Sequence, residues 1–230
     1  MEISTIAVSN SGKFIATGQK GTVFQKTPDA PVIIWSYEAK KPLAVLKGIQ
    51  DCVNRLIFSP DDKFLACIGQ NNTFIIWSVQ DGTAIHSRVS EVPFTMLTWG
   101  DVISDVNPKH PTYKIITGSH QNVFINELEF DISSMQYFLK SATCQLPNTG
   151  LIRSYTFAKV QGDMLLAGTT GGEICVFSIA SAIYRASMPL TSNGILCGAV
   201  DKDFLYIGGG DGKVKKVALT GGQWTLTHEA

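Results

Sequence analysis

The sequence has no excess of charge of either sign and no long hydrophobic run. Its 19 Lys and Arg residues balance 19 Asp and Glu residues, so no broad field attracts the protein to nucleic acid, anionic lipid or acidic protein tails. The longest apolar runs, such as Pro31–Trp35, hold only a few residues, far below the roughly 20 that cross a bilayer. The first residues lack the basic start and the long apolar middle of a secretory signal. We therefore expect no nucleic-acid or membrane partner and a reducing, cytosol-facing compartment.

Paired cysteines and the motifs of common active sites are also missing. The five cysteines, at positions 52, 67, 144, 175 and 197, are odd in number and far apart, which fits neither a disulfide framework nor paired metal ligands. We expect them to be small, inert core residues. The four histidines have no partner at helical spacing, and the glycine-rich run 208–213 leads into a strand, whereas a phosphate loop leads into a helix. The sequence therefore predicts a protein that is not an enzyme, with no catalytic residue, metal or cofactor.

Helical periodicity is nearly absent, and a repeat is present instead. Residues 6–16 (IAVSNSGKFIA) align with 56–66 (LIFSPDDKFLA), and residues 32–36 (VIIWS) align with 74–78 (FIIWS). The predicted strands are short, rich in Val, Ile, Phe and Thr, and bounded by turn residues such as Asp211-Gly212. Ser178–Ser187, the one segment with helical spacing, is better interpreted as a strand, a turn and a strand.

Five repeats of about 40 to 50 residues, each with about four short antiparallel strands, predict an all-β fold, a β-propeller within residues 1–230. The blades run approximately over 3–48, 53–90, 92–146, 150–190 and 194–229. A sandwich is the alternative, but sandwiches do not repeat one four-strand signature at this period. A glycine ends the second strand of each repeat: Gly18, Gly69, Gly118, Gly168 and Gly208. The third strand carries an aromatic residue at Trp35, Trp77 and Phe177, replaced by Asn126 and Val217 in the other two repeats.

The letters at these positions resemble a known superfamily. The run 59–66 (SPDDKFLA), with Ile-Ile-Trp-Ser at 33–36 and 75–78, is similar to the WD repeats, in which an apolar pair followed by Trp closes the third strand. The resemblance implies a WD-repeat β-propeller. Trp-Ser stands here in place of Trp-Asp, and the opening Gly-His pair is missing. The resemblance therefore does not carry over the buried hydrogen-bond network of His, Ser, Asp and Trp.

Within that superfamily, residues 6–19, 33–37 and 165–174 resemble the cilia- and flagella-associated double-propeller proteins, which are microtubule inner proteins of ciliary doublets. The echinoderm microtubule-associated proteins are the next family in similarity, because they share the Ala-Thr-Gly-Gln-like turn and the inserted loop before Val-Ile-Ile-Trp. Each propeller of the ciliary family has seven blades. The resemblance thus implies that these five blades are part of a seven-bladed propeller, with a closed five-bladed ring as the alternative.

The same resemblance implies a non-enzymatic scaffold of the cytoskeleton, in the axoneme of a cilium or flagellum, that binds tubulin of doublet microtubules and other axonemal proteins. Six lysines are the candidate contacts to such partners: Lys20, Lys40, Lys41, Lys213, Lys215 and Lys216. Solvated strand edges are the simpler interpretation of these lysines. On a strand, Lys213 and Lys215 point to one face and Lys216 to the other. The loops Lys20–Ala30 and Asp101–Pro111 are expected to reach outward.

Two other functions stay open. One is a general cytosolic adaptor that recruits proteins for signalling or degradation. The other is an enzyme built on a propeller, which a fold alone does not exclude.

Overall fold

The computed structural model describes residues 2–21, 29–103, 108–146, 152–220 and 223–230, which form twenty strands and no helix. The strands are β1 Glu2–Val8, β2 Phe14–Lys20, β3 Val32–Ser36, β4 Lys41–Leu46, β5 Val53–Phe58, β6 Phe64–Gly69, β7 Thr73–Ser78, β8 Ala84–Val89, β9 Met96–Ile103, β10 Thr112–Gly118, β11 Val123–Asp131, β12 Gln136–Thr143, β13 Tyr155–Gln161, β14 Met164–Thr169, β15 Glu173–Ser178, β16 Ile183–Pro189, β17 Ile195–Asp201, β18 Phe204–Gly209, β19 Val214–Thr220 and β20 Gln223–Glu229. The prediction of an all-β fold is confirmed.

Each group of four successive strands forms one sheet, in which neighbours along the chain are neighbours in the sheet. The first sheet is β1–β4, the second β5–β8, the third β9–β12, the fourth β13–β16 and the fifth β17–β20. The predicted strand, turn and strand at Ser178–Ser187 is confirmed by β15 and β16. The glycine-rich run 208–213 ends β18 and forms the turn to β19, as predicted. Parts of both loops expected to reach outward, residues 22–28 and 104–107, lie outside the described residues.

The chain divides into two compact units. The first consists of Met1–Ile115 and Glu127–Lys140, and the second consists of Ile116–Asn126 and Ser141–Ala230. The division passes through the third sheet, because β10, β11 and β12 each contribute residues to both units.

The core of the first unit lies on both faces of the second sheet. On one face Leu65 and Trp77 pack with Ala16 and Ile34 of the first sheet. On the other face Ile76 belongs to a cluster that includes residues of β9 and β10. Because both faces of the second sheet are covered, β6 and β7 are nearly continuous apolar segments. The period of two that marks a half-exposed strand is absent there.

The core of the second unit includes a cluster shared by the fourth and fifth sheets. Leu166 and Val176 pack there with Ile207 and Val217. Val217, which replaces the aromatic residue of the repeat, is fully buried. An aliphatic side chain at this position therefore still fills the core.

Strand register corrects one of the predicted repeat positions. The first strands of four sheets, β1, β5, β13 and β17, each contain a β-bulge. The second-strand residue that pairs just after the bulge is Gly18 in the first sheet, Ile68 in the second, Gly168 in the fourth and Gly208 in the fifth. Gly69 therefore stands one residue later than the other glycines, and Ile68 occupies their place. At Gly18 a Cβ atom would lie 2.4 Å from Val53 Cγ1, so the first sheet requires glycine there. At the same register Ile68 joins the core cluster on the second sheet.

The cysteines are free thiols with different exposures. Cys67, Cys144 and Cys175 are buried, as predicted, and Cys52 is half-buried. The prediction of a core position is wrong for Cys197, which is exposed. Cys197 follows a β-bulge next to the exposed Leu196. A bulge interrupts the alternation of faces along a strand, so residue type alone does not decide burial there.

Candidate functional site

The three candidate lysines of the first sheet are exposed but do not form one patch. Lys20 ends β2, and its Nζ lies 3.9 Å from Glu2 Oε2. Lys40 lies in the β3–β4 turn and Lys41 begins β4. Because Phe14 pairs with Ser36, this turn lies at the other end of the sheet from Lys20, roughly 20 Å away at 3.3 Å per residue. These lysines therefore offer two separate points of contact.

The three lysines of the fifth sheet contact groups within the second unit. Lys213 pairs with Glu229, and hydrogen bonding by Lys213 is the main cause that lowers the pKa of Glu229. Lys215 Nζ lies 3.3 Å from Asp211 and 3.4 Å from Glu229. Lys216 points to the opposite face, as predicted, where its Nζ lies 3.8 Å from the centre of the Phe204 ring.

The interpretation of Lys215 as a solvated edge residue is wrong, because only 7% of it is exposed. Its side chain also donates a hydrogen bond to the carbonyl of Leu190. Lys215 lies on β19, which pairs with β18 on one side and β20 on the other. The lysine therefore serves the sheet itself and is not available to a partner.

The aromatic repeat positions are structural. Trp77 and Phe177 are buried, and Trp35 is half-buried. Trp35 Nε1 donates a hydrogen bond to Thr17 Oγ1 at 2.9 Å. In the third sheet Asn126 stands at the tryptophan position, and its Nδ2 donates to Thr117 Oγ1 at 3.1 Å. The signal that sequence reasoning missed is the threonine before Gly18 and Gly118, which accepts the same hydrogen bond in both sheets.

Turn residues connect neighbouring sheets of the first unit. The Asp62 carboxylate accepts hydrogen bonds from the backbone N–H groups of Asn10 at 2.7 Å and Ser11 at 2.9 Å, in the β1–β2 turn. Asp61 accepts one from the Tyr113 hydroxyl at 2.7 Å. Desolvation raises the pKa of Asp62, but the hydrogen bonds from Ser11 and Asn10 outweigh it, so that the net shift lowers the pKa. Asp62 therefore joins the second sheet to the first, and Asp61 joins the second sheet to the third.

A groove of 750 Å³ lies beside these turns in the first unit, and we call it the turn groove. Its large apolar lining residues come from the first, second and third sheets: Phe14, Leu43, Phe64, Val79, Ile85 and Tyr137. Asp62, Asp81 and Lys63 also line it, and Lys63 pairs with Asp61 at 3.4 Å. Since the one cation is paired, the two carboxylates dominate the charge. Leu43 is 56% exposed, which leaves an apolar surface open to a partner.

The described part of the chain has neither a metal site nor a membrane-spanning helix. Within it, no group of three His, Cys, Asp or Glu side chains is placed to hold a metal ion. None of its segments forms a helix long and apolar enough to cross a membrane.

Comparison with known proteins identifies the fold and a set of relatives. The model of the anaphase-promoting complex subunit 4 WD40 domain matches residues 32–102. The β-propeller domain of Cps50 (Swd1) from Myceliophteria thermophila superposes with a TM-score of 0.73 at 16% identity, covering 99% of this chain and 72% of that one. These matches agree with the five four-stranded sheets.

Two curated relatives extend over most of the chain. Cilia- and flagella-associated protein 52 of Chlamydomonas reinhardtii is 26% identical over 93% of this chain, which spans 34% of that protein. Elongator complex protein 2 of Mus musculus is 24% identical over 77% of this chain and is matched over 22% of its own length. The chain thus spans about a third or less of the length of these relatives. It has the WD40 β-propeller fold and is similar in sequence to cilia- and flagella-associated protein 52.

Proposed function

We propose that this chain is part of a non-enzymatic scaffold in the axoneme of a cilium or flagellum, where it binds tubulin and neighbouring axonemal proteins. One observation carries the proposal: the similarity to cilia- and flagella-associated protein 52 extends over 93% of the chain. A propeller suits this role because rigid sheets hold several turns in fixed positions, so that binding orders few residues.

The exposed surfaces support different partners for different parts of the chain. The turn groove combines an apolar lining with the carboxylates of Asp62 and Asp81, so it suits an apolar segment that carries Lys or Arg, supplied by a neighbouring protein. Tubulin presents an acidic surface, and the exposed Lys20, Lys40 and Lys41 are the groups of the first sheet that would contact it. Lys213 and Lys216 remain secondary candidates, since both already contact side chains of the fifth sheet.

One face of the first sheet supports the proposal of a larger propeller. Ile6, Thr17, Ile33 and Val45 are paired across the four strands on the face opposite to the core residue Ala16. Ile6 and Val45 are exposed. The equivalent face of the second sheet, with Trp77, is covered by the first sheet.

We propose that a further sheet of the same kind covers this face in a seven-bladed propeller. In the complete gene product Trp35 should then be protected from hydroxyl-radical oxidation. Equal oxidation of Trp35 in the complete product and in the 230-residue chain would contradict the larger propeller.

The axonemal role is tested by fractionation. The complete gene product is tagged in its own cell, the membrane is removed with detergent, and the axonemal pellet is washed with rising salt. We expect the protein to stay in the pellet at high salt, because an apolar fit is screened less than surface charge. Release with the detergent supernatant would reject the axonemal scaffold.

Two variants locate the contact within the first unit. Leu43→Lys places a cation in the turn groove at an exposed position, so the fold should tolerate it, but the cation should repel the Lys or Arg of the docked segment. Val89→Lys is the matched control, since Val89 is also exposed but does not line the groove. We expect only Leu43→Lys to be released at lower salt. Equal release of both variants would exclude the turn groove as the docking surface.

A second candidate function is an adaptor subunit of a soluble protein complex. The observation in its favour is the similarity to Elongator complex protein 2 and to the WD40 domain of anaphase-promoting complex subunit 4. A microtubule-associated protein of the echinoderm type remains a third possibility. Recovery in a soluble complex after detergent extraction would favour the adaptor, whereas co-sedimentation with cytoplasmic microtubules would favour the microtubule-associated protein.

A further inference from the structure

The imidazole of His86 lies in the contact between the second and third sheets. On β8, His86 pairs with Ile76 of β7, and Arg88 pairs with Phe74. Side chains two residues apart on a strand lie on the same face, and Ile76 and Phe74 belong to the cluster that the third sheet covers. Phe94, which precedes β9, packs against Phe74 with the ring centroids 5.9 Å apart. Because β8 is the edge strand of the second sheet, His86 lies at the outer edge of this contact.

One ring nitrogen of His86 is buried without a partner. No hydrogen-bonding partner of Nε2 is found among the residues that the structure describes. The ring lies beside that of Phe74, with the centroids 6.0 Å apart, so its surroundings are apolar there. A neutral imidazole carries its hydrogen on one nitrogen only, which leaves the other bare. A protonated imidazole is a donor at both nitrogens, so its Nε2–H would be buried without an acceptor, which is unfavourable.

The nearest charge also opposes protonation of His86. The Arg88 guanidinium lies over the same aromatic rings, 5.9 Å from the centre of Phe74 and 5.5 Å from the centre of Phe94. Desolvation by burial is the main cause that lowers the pKa of His86, and the charge of Arg88 is the second. An imidazolium would therefore bring a second positive charge to an apolar site that already holds one.

The carboxylates beside Leu128 in the third sheet point away from this contact. Leu128 of β11 packs into the cluster, so its neighbours Glu127 and Glu129 lie on the opposite face of the strand. They pair with Lys114 at 3.6 Å and with Lys140 at 2.9 Å. Neither carboxylate is placed to accept a hydrogen bond from a protonated His86.

The other titratable groups of the covering elements supply no counter-charge. Tyr113 and Tyr137 belong to the cluster, and burial is the main cause that raises the pKa of both phenols, so they stay neutral. Glu91 in the β8–β9 connection and Asp101 on β9 are exposed. Within the described part of the chain, no charge other than the arginine on β8 shifts the pKa of His86.

We propose that His86 makes the contact between the second and third sheets sensitive to acid: the neutral imidazole fits its outer edge, and the protonated ring loosens it. Because folding keeps the ring neutral, the unfolded chain binds more protons than the folded chain. Stability is therefore complete above about pH 6.5, the ordinary pKa of histidine, and is lost as the pH falls below it. This sensitivity belongs to the folded chain and does not depend on the axonemal role.

The test is urea unfolding of the 230-residue chain at pH 7.5 and pH 5.5. Aspartate and glutamate with ordinary pKa values stay ionised in this range, so the histidines carry the change. We expect the equilibrium constant of unfolding to rise by up to about tenfold at the lower pH, because an unfolded histidine is then mostly protonated. An equilibrium constant that does not change would overturn the proposal.

Two variants assign the change to His86. His86→Phe keeps a ring beside Phe74 but cannot take up a proton, so we expect it to lose most of the pH dependence. His120→Phe is the matched control, since His120 is exposed in the β10–β11 turn, and this variant should keep the dependence of the unchanged chain. Equal dependence in His86→Phe and in the unchanged chain would overturn the proposal.

Nuclear magnetic resonance of the histidine ring gives a second measurement, which needs no variant. The ring C–H signal of His86 is followed with pH in the folded chain and in the chain unfolded by urea. We expect the signal of the folded chain to move at a lower pH, because the buried ring resists protonation. Coincident titration in the two states would overturn the proposal even if His86→Phe did not fold.

Discussion

The hydrogen bond between Asn126 and Thr117 gives the sharpest test of how the third sheet is stabilised. Both residues are fully buried, and Asn126 Nδ2 lies 3.1 Å from Thr117 Oγ1. Thr117→Val removes the accepting oxygen and replaces it with a methyl group of similar size. The amide N–H of Asn126 then loses this acceptor in a place that water does not reach.

The expected cost follows from burial. A buried donor that loses its acceptor costs about 1–3 kcal/mol, so we expect the free energy of unfolding to fall by about 2 kcal/mol. For a chain of this size each kcal/mol lowers the melting temperature by about 2–4 °C, which gives a decrease of about 4–8 °C. The matched control is Thr17→Val, which removes the acceptor of Trp35 in the first sheet. Trp35 is half-buried, so its indole N–H can bond to water and the cost should be about 0.5 kcal/mol.

The assay is thermal unfolding followed by near-ultraviolet circular dichroism, with urea unfolding as a second measure. The two variants change the same residue type at the same repeat position, so their difference reports burial. A melting temperature for Thr17→Val equal to or below that of Thr117→Val would refute the reasoning.

Three further predictions concern charge and thiols. Asp62→Asn should lower the free energy of unfolding by about 1 kcal/mol, because the amide oxygen cannot accept hydrogen bonds from both Asn10 and Ser11. Since folding lowers the pKa of Asp62, the unchanged chain should lose this stability as pH falls below about 4. Urea unfolding at pH 7 and pH 3 that shows no difference between the two chains would contradict this prediction. Lys215→Met should cost about 2 kcal/mol, because the Leu190 carbonyl loses a buried donor, whereas Lys41→Met at an exposed site should cost almost nothing. Equal melting temperatures would refute the role of Lys215. Ellman's reagent should label Cys197 in the folded chain, and Cys144 and Cys175 only after unfolding. Burial is the main cause that raises the pKa of the latter two to about 12. If mass spectrometry detected label on Cys175 in the folded chain, the burial of Cys175 would be wrong.

The fold was predictable because each sequence repeat corresponds to one four-stranded sheet. The aligned segments 6–16 and 56–66 each contain the end of one strand, a turn and the start of the next, so local residue chemistry fixed both the strands and their order. The four-stranded sheets follow from this order. Gly69 was misplaced because a glycine in a strand has no signature of its own, whereas the β-bulge that sets the register depends on pairing between strands.

The candidate surfaces were less predictable, because they depend on contacts between residues far apart in the sequence. Lys215 looks like a solvated lysine until β20 brings Glu229 beside it. The partner of Asp62 lies 51 residues away in Ser11, and the third sheet covers the face of β8 that carries His86. No local pattern encodes such pairings, although a threonine before the strand-ending glycine would have indicated the hydrogen bonds of Trp35 and Asn126.

The order of the strands has a consequence for the synthesis of the protein. Every sheet is built from four successive strands, so its backbone pairing can begin while the nascent chain is still leaving the ribosome. The buried face of the first sheet, with Ala16 and Ile34, gains its cover only from the second sheet, whose strands end at Val89. At about 5–20 residues per second the second sheet follows within a few seconds. During that interval the hairpins of the first sheet expose apolar surface, to which a chaperone that binds nascent chains would bind.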